Sequence, residues 1–216
     1  AADYTVSKIN FNSIELIFGA IILYLFTLGG GINLMNNLMG QYFENPLLNG
    51  AVIITSIFVA LHLIGIPSSI YQTFVIETKY GFNKITPKLF FTDQIKSVII
   101  MILLSIVVSF AALWILSELG NEWWLWLWIF LSVLSLIGVA LAPVLKQLFN
   151  KYTPIKDKSL KKNIEQLLKR CGFESSGLFE MNGSLRSTHG NAFFGGFGKT
   201  KRIIFFDTLL EKLNTK

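Results

Sequence analysis

The chain has 216 residues and a mass of 24.3 kDa; 52% of it is hydrophobic, only 15% is charged, and the mean hydropathy is +0.55. A soluble domain carries about 25% charged residues, so an ordinary cytosolic enzyme is disfavoured. The net charge of +6 would suit nucleic acid, but the placement of the cations argues against that partner and for a lipid bilayer.

No Asp, Glu, Lys or Arg occurs in residues 16–43, 45–76, 97–117 or 123–145, which are runs of 28, 32, 21 and 23 residues. A membrane-spanning helix needs about 20 apolar residues, so all four runs qualify. The expected fold is mainly α: a polytopic membrane helix bundle over residues 1–145, followed by a small cytoplasmic α+β segment over 146–216. The first span is expected at about 14–34, weakening at Gly29-Gly30-Gly31. The second runs about 47–66 and is expected to stop at Pro67, which has no N–H to continue a helix. A loop is expected over 67–94, with spans at about 95–116 and 123–145 on its far side. The fourth opens with Trp123, Trp124, Trp126 and Trp128, an aromatic cluster suited to the membrane interface.

All 19 basic residues fall in three places: Lys8, the group Lys79, Lys84, Lys88 and Lys96, and 14 residues after span four. The two remaining loops carry only Glu44, Glu118 and Glu122. Four crossings put the three basic segments on one side, and the positive-inside rule makes that side the cytoplasm. The membrane is expected to be a bacterial inner membrane or that of the endoplasmic reticulum. His62 lies in the middle of span two. An ionisable group at that depth is a functional candidate, but no second donor stands one turn away, so a neutral imidazole bonded to a neighbouring helix is preferred. Apart from His62 the spans carry no ionisable group that would mark an ion pathway, which disfavours a transporter.

After Pro143 the composition becomes that of a soluble segment. Thr153-Pro154 reads as a helix start, with Asp157 a second possible N-cap. Leu160, Ile164, Leu167, Leu168 and Cys171 form an apolar stripe at helical spacing, Glu165 and Lys169 an i,i+4 pair, and Gly172 a stop. The lone Cys171 forbids an intrachain disulfide. Strands are expected at 178–181, 192–194 and 202–206, with Asn182-Gly183 turning the chain between them. Asp207 is expected to cap a last helix carrying Leu209, Leu210 and Leu213. Gly195-Gly196-Phe197-Gly198-Lys199 lacks the context of a phosphate loop and reads as a glycine-rich hairpin.

Three stretches carry a resemblance: Glu77-Thr78-Lys79-Tyr80-Gly81-Phe82-Asn83-Lys84, followed by Asp93 and Lys96; Phe149-Asn150-Lys151-Tyr152-Thr153-Pro154; and Gly183 to Phe194, continuing through 201–210. In this order they resemble the integral-membrane zinc metalloproteases of the CAAX prenyl protease type, the Ste24 family. Leu185 stands where that family often has Lys, and Asn182 where an acidic residue is common. A larger departure is the missing His-Glu-x-x-His helix, whose two histidines bind zinc and whose glutamate activates water. The 216 residues hold only His62 and His189, so no catalytic residue and no metal ligand is assigned within them. A first span preceding Ala1 is likewise expected elsewhere, and the chain reads as part of a longer protein.

The resemblance implies that this part supplies spans and a substrate-binding edge strand, with Zn2+ and the catalytic segment, its implied partner, provided by the remainder. Substrate-binding candidates are Asn191, Ala192, Phe193, Arg186 and His189. Asn191-Ala192 resembles the Asn-Ala pair that holds substrate backbone in zinc peptidases; by turn chemistry alone Asn191 would simply satisfy a turn after Gly190. Arg186 is either an ion-pair partner or a reader of a substrate carboxylate, and His189 a hydrogen-bonding strut. The loop bearing Glu77, Tyr80, Asn83 and Asp93 is expected to pack on the soluble part. The implied substrate is a peptide or protein, a prenylated CAAX terminus in a eukaryote, or a membrane protein under quality control in a bacterium. The competing reading is a membrane-anchored pseudoprotease that binds peptides or partners without chemistry.

Overall fold

The structure is a computed structural model, and it describes residues 2–40, 42–173, 175–195 and 201–212. Among the described residues four helices are long and apolar enough to cross a membrane. They are α1 (Ala2–Thr27), α3 (Pro46–Tyr71, extended by a π-helical segment Gln72–Glu77), α4 (Pro87–Glu118) and α5 (Trp123–Gln147). A short α2 (Gly31–Met39) lies between the first two. The chain divides into two compact units, Ala1–Gly81 with Pro87–Ile129, and Phe82–Thr86 with Phe130–Lys216.

In the first unit α3 and α4 pack antiparallel through small residues. Ala51 is fully buried, and Thr55, 6% exposed, accepts the Ser105 hydroxyl at 3.1 Å. Gly50 lies so close to Leu113 that an added Cβ would stand 2.8 Å from its side chain. Small side chains let membrane helices approach closely, and that contact replaces the hydrophobic drive that lipid removes. His62 Nε2 lies 3.0 Å from Gln94 Oε1 across the same pair, the interhelical imidazole bond expected from the sequence. At the other end of α3, Tyr4 donates to Glu77 at 2.6 Å, Ser7 and Tyr80 share a 2.6 Å bond, and Phe11 stacks on Tyr71 at 5.4 Å.

Several expected boundaries move. The first span begins at Ala2 rather than near residue 14, because polar residues such as Asp3 and Lys8 extend a helix that charge counting sees only in its apolar part. It also ends at Thr27, since Gly30 adopts φ 85° and starts α2 instead. Pro67 does not end the second span; it sits inside α3, and the helical path continues to Glu77. The third span starts at Pro87, so helix occupies most of the loop expected over 67–94, and residues 78–86 make the actual connection.

The second unit holds a four-stranded sheet in the order β1-β2-β4-β3, with β1 (Tyr152–Pro154), β2 (Gly177–Met181), β3 (Ala192–Gly195) and β4 (Arg202–Phe206). β2 and β4 are parallel, whereas β1 and β3 are antiparallel to their neighbours. Ile204 on central β4 is fully buried, with Leu178 and Met181 of β2 at 4% and 5% exposure. Thr153-Pro154 is therefore strand, not a helix start: the chain leaving α5 pairs with β2 first. Helix α6 (Lys158–Arg170) begins instead at Asp157, which accepts from the Ser159 and Leu160 N–H groups. It ends before Gly172, at φ 63°. Its ion pair is Lys161–Glu165 at 3.8 Å rather than the Glu165–Lys169 pair expected. Three of the five stripe residues, Leu160, Ile164 and Leu168, are half-buried, while Leu167 and Cys171 are exposed. The last helix, α7, spans Asp207–Leu210 with Phe206 at the N-cap. Asp207 is the first helical residue rather than the N-cap, and its carboxylate accepts from Ser184 and from the Thr208 N–H. The expectations for Gly196–Lys199 and Leu213 lie outside the described residues.

Candidate functional site

The candidate site is the end of β3 and the loop 183–191 that leads into it. Gly183 opens this loop buried against Phe206, where an added Cβ would meet the ring at 2.7 Å. Ser184 donates its N–H to Asp207 Oδ1 at 2.8 Å and its hydroxyl to Oδ2. Arg186, half-buried, donates to Asn150 Oδ1 at 3.1 Å and to the Phe149 carbonyl at 2.6 Å. Arg186 thus binds neutral oxygens of the segment following α5.

The residues between spans two and three close the other side of the loop. The Lys84 N–H donates to the Arg186 carbonyl at 3.0 Å and the Thr188 N–H to the Phe82 carbonyl at 3.1 Å. Asn83 and Ser187 form a β-bridge. The His189 ring stacks on Phe82 with centroids 4.2 Å apart and planes at 20°. The His189 backbone acts as a strut, its N–H donating to Ser187 Oγ at 3.2 Å and its carbonyl accepting Thr208 Oγ1 at 2.8 Å. Residues from all three sequence stretches that carry the resemblance meet at this loop.

Among the described residues β3 pairs only with β4, so its other side is an open edge. Which backbone groups face outward follows from one bond. The Phe206 N–H donates to the Asn191 carbonyl at 2.9 Å, making these two a hydrogen-bonded pair in register with Phe193↔Ile204 and Gly195↔Arg202. Antiparallel pairs alternate, so Ala192 and Phe194 turn their N–H and C=O groups away from β4. Ala192 and Phe194 are exposed and Phe193 is half-buried. Asn191 Oδ1 accepts the Ala192 N–H at 2.8 Å, so in this state the carboxamide covers one outward donor.

The structure therefore brings Asn191, Ala192 and Phe193 together on the edge and puts Arg186 and His189 in its supporting loop. Sequence reasoning missed Phe82, Asn150 and Lys146. Lys146 closes α5 and lies 3.9 Å above the Phe193 ring. Its only local sign was being the first cation after the fourth apolar run. Tyr152 on β1 keeps its hydroxyl buried without a hydrogen-bond partner among the described residues, and that burial pushes its phenol above the ordinary value.

A zinc ion needs several convergent donors. Among the described residues no three His, Cys, Asp or Glu side chains cluster to hold one. His62 is engaged with Gln94 and His189 is stacked on Phe82. These residues do not fit a zinc ion, and no chemical step through a metal is assigned to them.

Residues 1–151 match the family model described as CAAX prenyl protease N-terminal, five membrane helices, and residues 154–216 match peptidase family M48. The CAAX prenyl protease 1 homolog of Mus musculus is 35% identical over 217 residues, covering 97% of this chain and 46% of that protein. The homolog of Oryza sativa subsp. japonica is 37% identical over 174 residues, or 80% of this chain and 41% of the relative. The crystal structure of S. mikatae Ste24p superposes with a TM-score of 0.89 at 30% identity, covering 97% of this chain and 50% of that one. The chain thus spans half or less of the length of each.

Proposed function

The chain belongs to peptidase family M48, with the membrane region of the CAAX prenyl proteases, and from that premise we propose that it is part of a membrane-embedded zinc metalloendopeptidase. In this reading residues 1–145 embed the enzyme and residues 146–216 present an extended peptide to a zinc-activated water. Neither His62, engaged with Gln94, nor His189, stacked on Phe82, is a zinc ligand in this reading. Substrates are prenylated CAAX termini in a eukaryote and membrane proteins under quality control in a bacterium. The N-terminus, the connection around 78–86 and the α+β segment face the cytoplasm.

The observation that carries the proposal is the open edge of β3. A guest strand bonding to the outward groups of Ala192 and Phe194 gains affinity from its backbone and so tolerates many side chains. Asn191 swings from the Ala192 N–H to the guest backbone next to the bond to be cut, and Ala192 leaves room for that approach. Arg186 and His189 fix the loop that aims Asn191.

Proline at position 194 supplies the test. Edge strands accept proline where the N–H faces solvent, so Phe194→Pro should leave β3 paired with β4 while removing one outward donor. In the protein as its gene encodes it, peptide cleavage should fall at least tenfold with the fold retained. Unchanged cleavage in a folded Phe194→Pro protein would refute strand addition at this edge. The competing reading, a peptide-binding pseudoprotease, uses the same edge without chemistry. Zinc that is retained through dialysis, about one per chain, would rule that reading out.

A further inference from the structure

We propose that Lys146 is a specificity residue that reads a carboxylate on the guest peptide, at the position lying alongside Phe193. This rests on the reading that a peptide adds to β3. Lys146 sits in the last turn of α5, is exposed, and holds its ammonium 3.9 Å above the Phe193 ring. Among the described residues it has no carboxylate partner. The ring offers a cation an attraction but leaves its charge uncompensated, and the cation stands over a residue of the open strand.

The register determines which guest residue meets it. The outward bonds come from Ala192 and Phe194, so in either direction the guest residue between those two bonds lies beside Phe193. Facing residues on neighbouring strands point to the same side of the sheet, with Cβ atoms about 5 Å apart. Phe193 points to the half-buried side, where it meets Lys146 and, at 6.3 Å, the Phe206 ring. The guest side chain at that position is therefore delivered to the ammonium. Arg186, the nearest cation in the supporting loop, already donates to Asn150 and Phe149, which leaves Lys146 to read the guest. An acidic side chain is favoured there, a basic one is disfavoured, and a terminal carboxylate reaching the same place shares the chemistry.

The test uses the protein as its gene encodes it, in detergent, with fluorescent peptides carrying Asp, Asn or Lys at each scanned position. A further pair ends at that position as a free acid or an amide. Binding is read by anisotropy after zinc chelation, and cleavage separately. At one position the wild-type protein should prefer Asp over Asn by about two- to fivefold, the range of an exposed ion pair. Lys146→Gln should abolish that preference and Lys146→Glu should reverse it towards Lys. A preference that follows only the free-acid peptide assigns the carboxylate to a chain terminus and supports the proposal. Identical preferences in all three proteins overturn it. Phe194→Pro separates the two readings: if it abolishes binding while Lys146→Gln changes nothing, the edge reading stands and Lys146 is wrong. If Phe194→Pro leaves binding intact, strand addition itself is wrong.

Discussion

Arg186 shows how a residue acquires its role from distant partners. Its guanidinium spans Asn150 Oδ1 and the Phe149 carbonyl, 36 and 37 positions earlier in the chain. Hydrogen bonds from a charged donor contribute about 1.5–3 kcal/mol. Arg186→Ala should therefore destabilise the α+β unit by roughly that amount, visible as a lower thermal midpoint in detergent. Arg186→Lys should recover only part, because an ammonium cannot reproduce the planar fork. If Arg186→Ala unfolds like the wild type, the residue is free for a substrate and the structural role is wrong. The sequence marked Arg186 as a candidate but left its role open, since nothing local to Ser184–Ser187 points to Asn150. The Asn191 carboxamide accepts the following Ala192 N–H at the start of the open edge.

At the scale of elements, apolar length was legible and termination was not. A charge-free run measures the part of a helix that must avoid water, so it located the four spans but cut α1 and α4 short at their polar ends. Pro67 is the instructive error. Breaking a helix in lipid would leave several backbone groups without water to bond them, a larger cost than the single bond that proline forgoes. The helix therefore continues, and the π-helical segment that follows ends at Glu77, which holds Tyr4 of α1. The His62–Gln94 bond ties α3 to α4 across the same bundle. His62→Leu and Gln94→Leu should each weaken the bundle, and a double-mutant cycle should give a coupling of about 0.6 kcal/mol, at most about 1.7. A coupling indistinguishable from zero would mean that the two groups find other partners.

At the scale of the whole molecule, the distribution of Lys and Arg predicts orientation. Cys171 is exposed and is the only cysteine of these 216 residues, which makes it a reporter. An impermeant thiol reagent added to sealed vesicles whose cytoplasmic face is outward should label it without permeabilisation, with the signal lost in Cys171→Ser. A cysteine introduced at Glu44, between α2 and α3, should show the opposite pattern. Labelling of Cys171 only after those vesicles are permeabilised would invert the topology.

The sequence by itself determined that the chain carries four apolar runs long enough to cross a bilayer, where they lie, and which family it resembles. Each of these depends on features carried by consecutive residues: apolar length, charge sign and short motifs. Only the tertiary structure decided that Thr153-Pro154 is strand, that β3 stands at the rim of the sheet, and that Phe82, Asn150 and Lys146 surround the candidate site. Those outcomes depend on pairings between residues tens of positions apart, whose energies arise when the chain closes on itself and leave no periodic trace in any one segment.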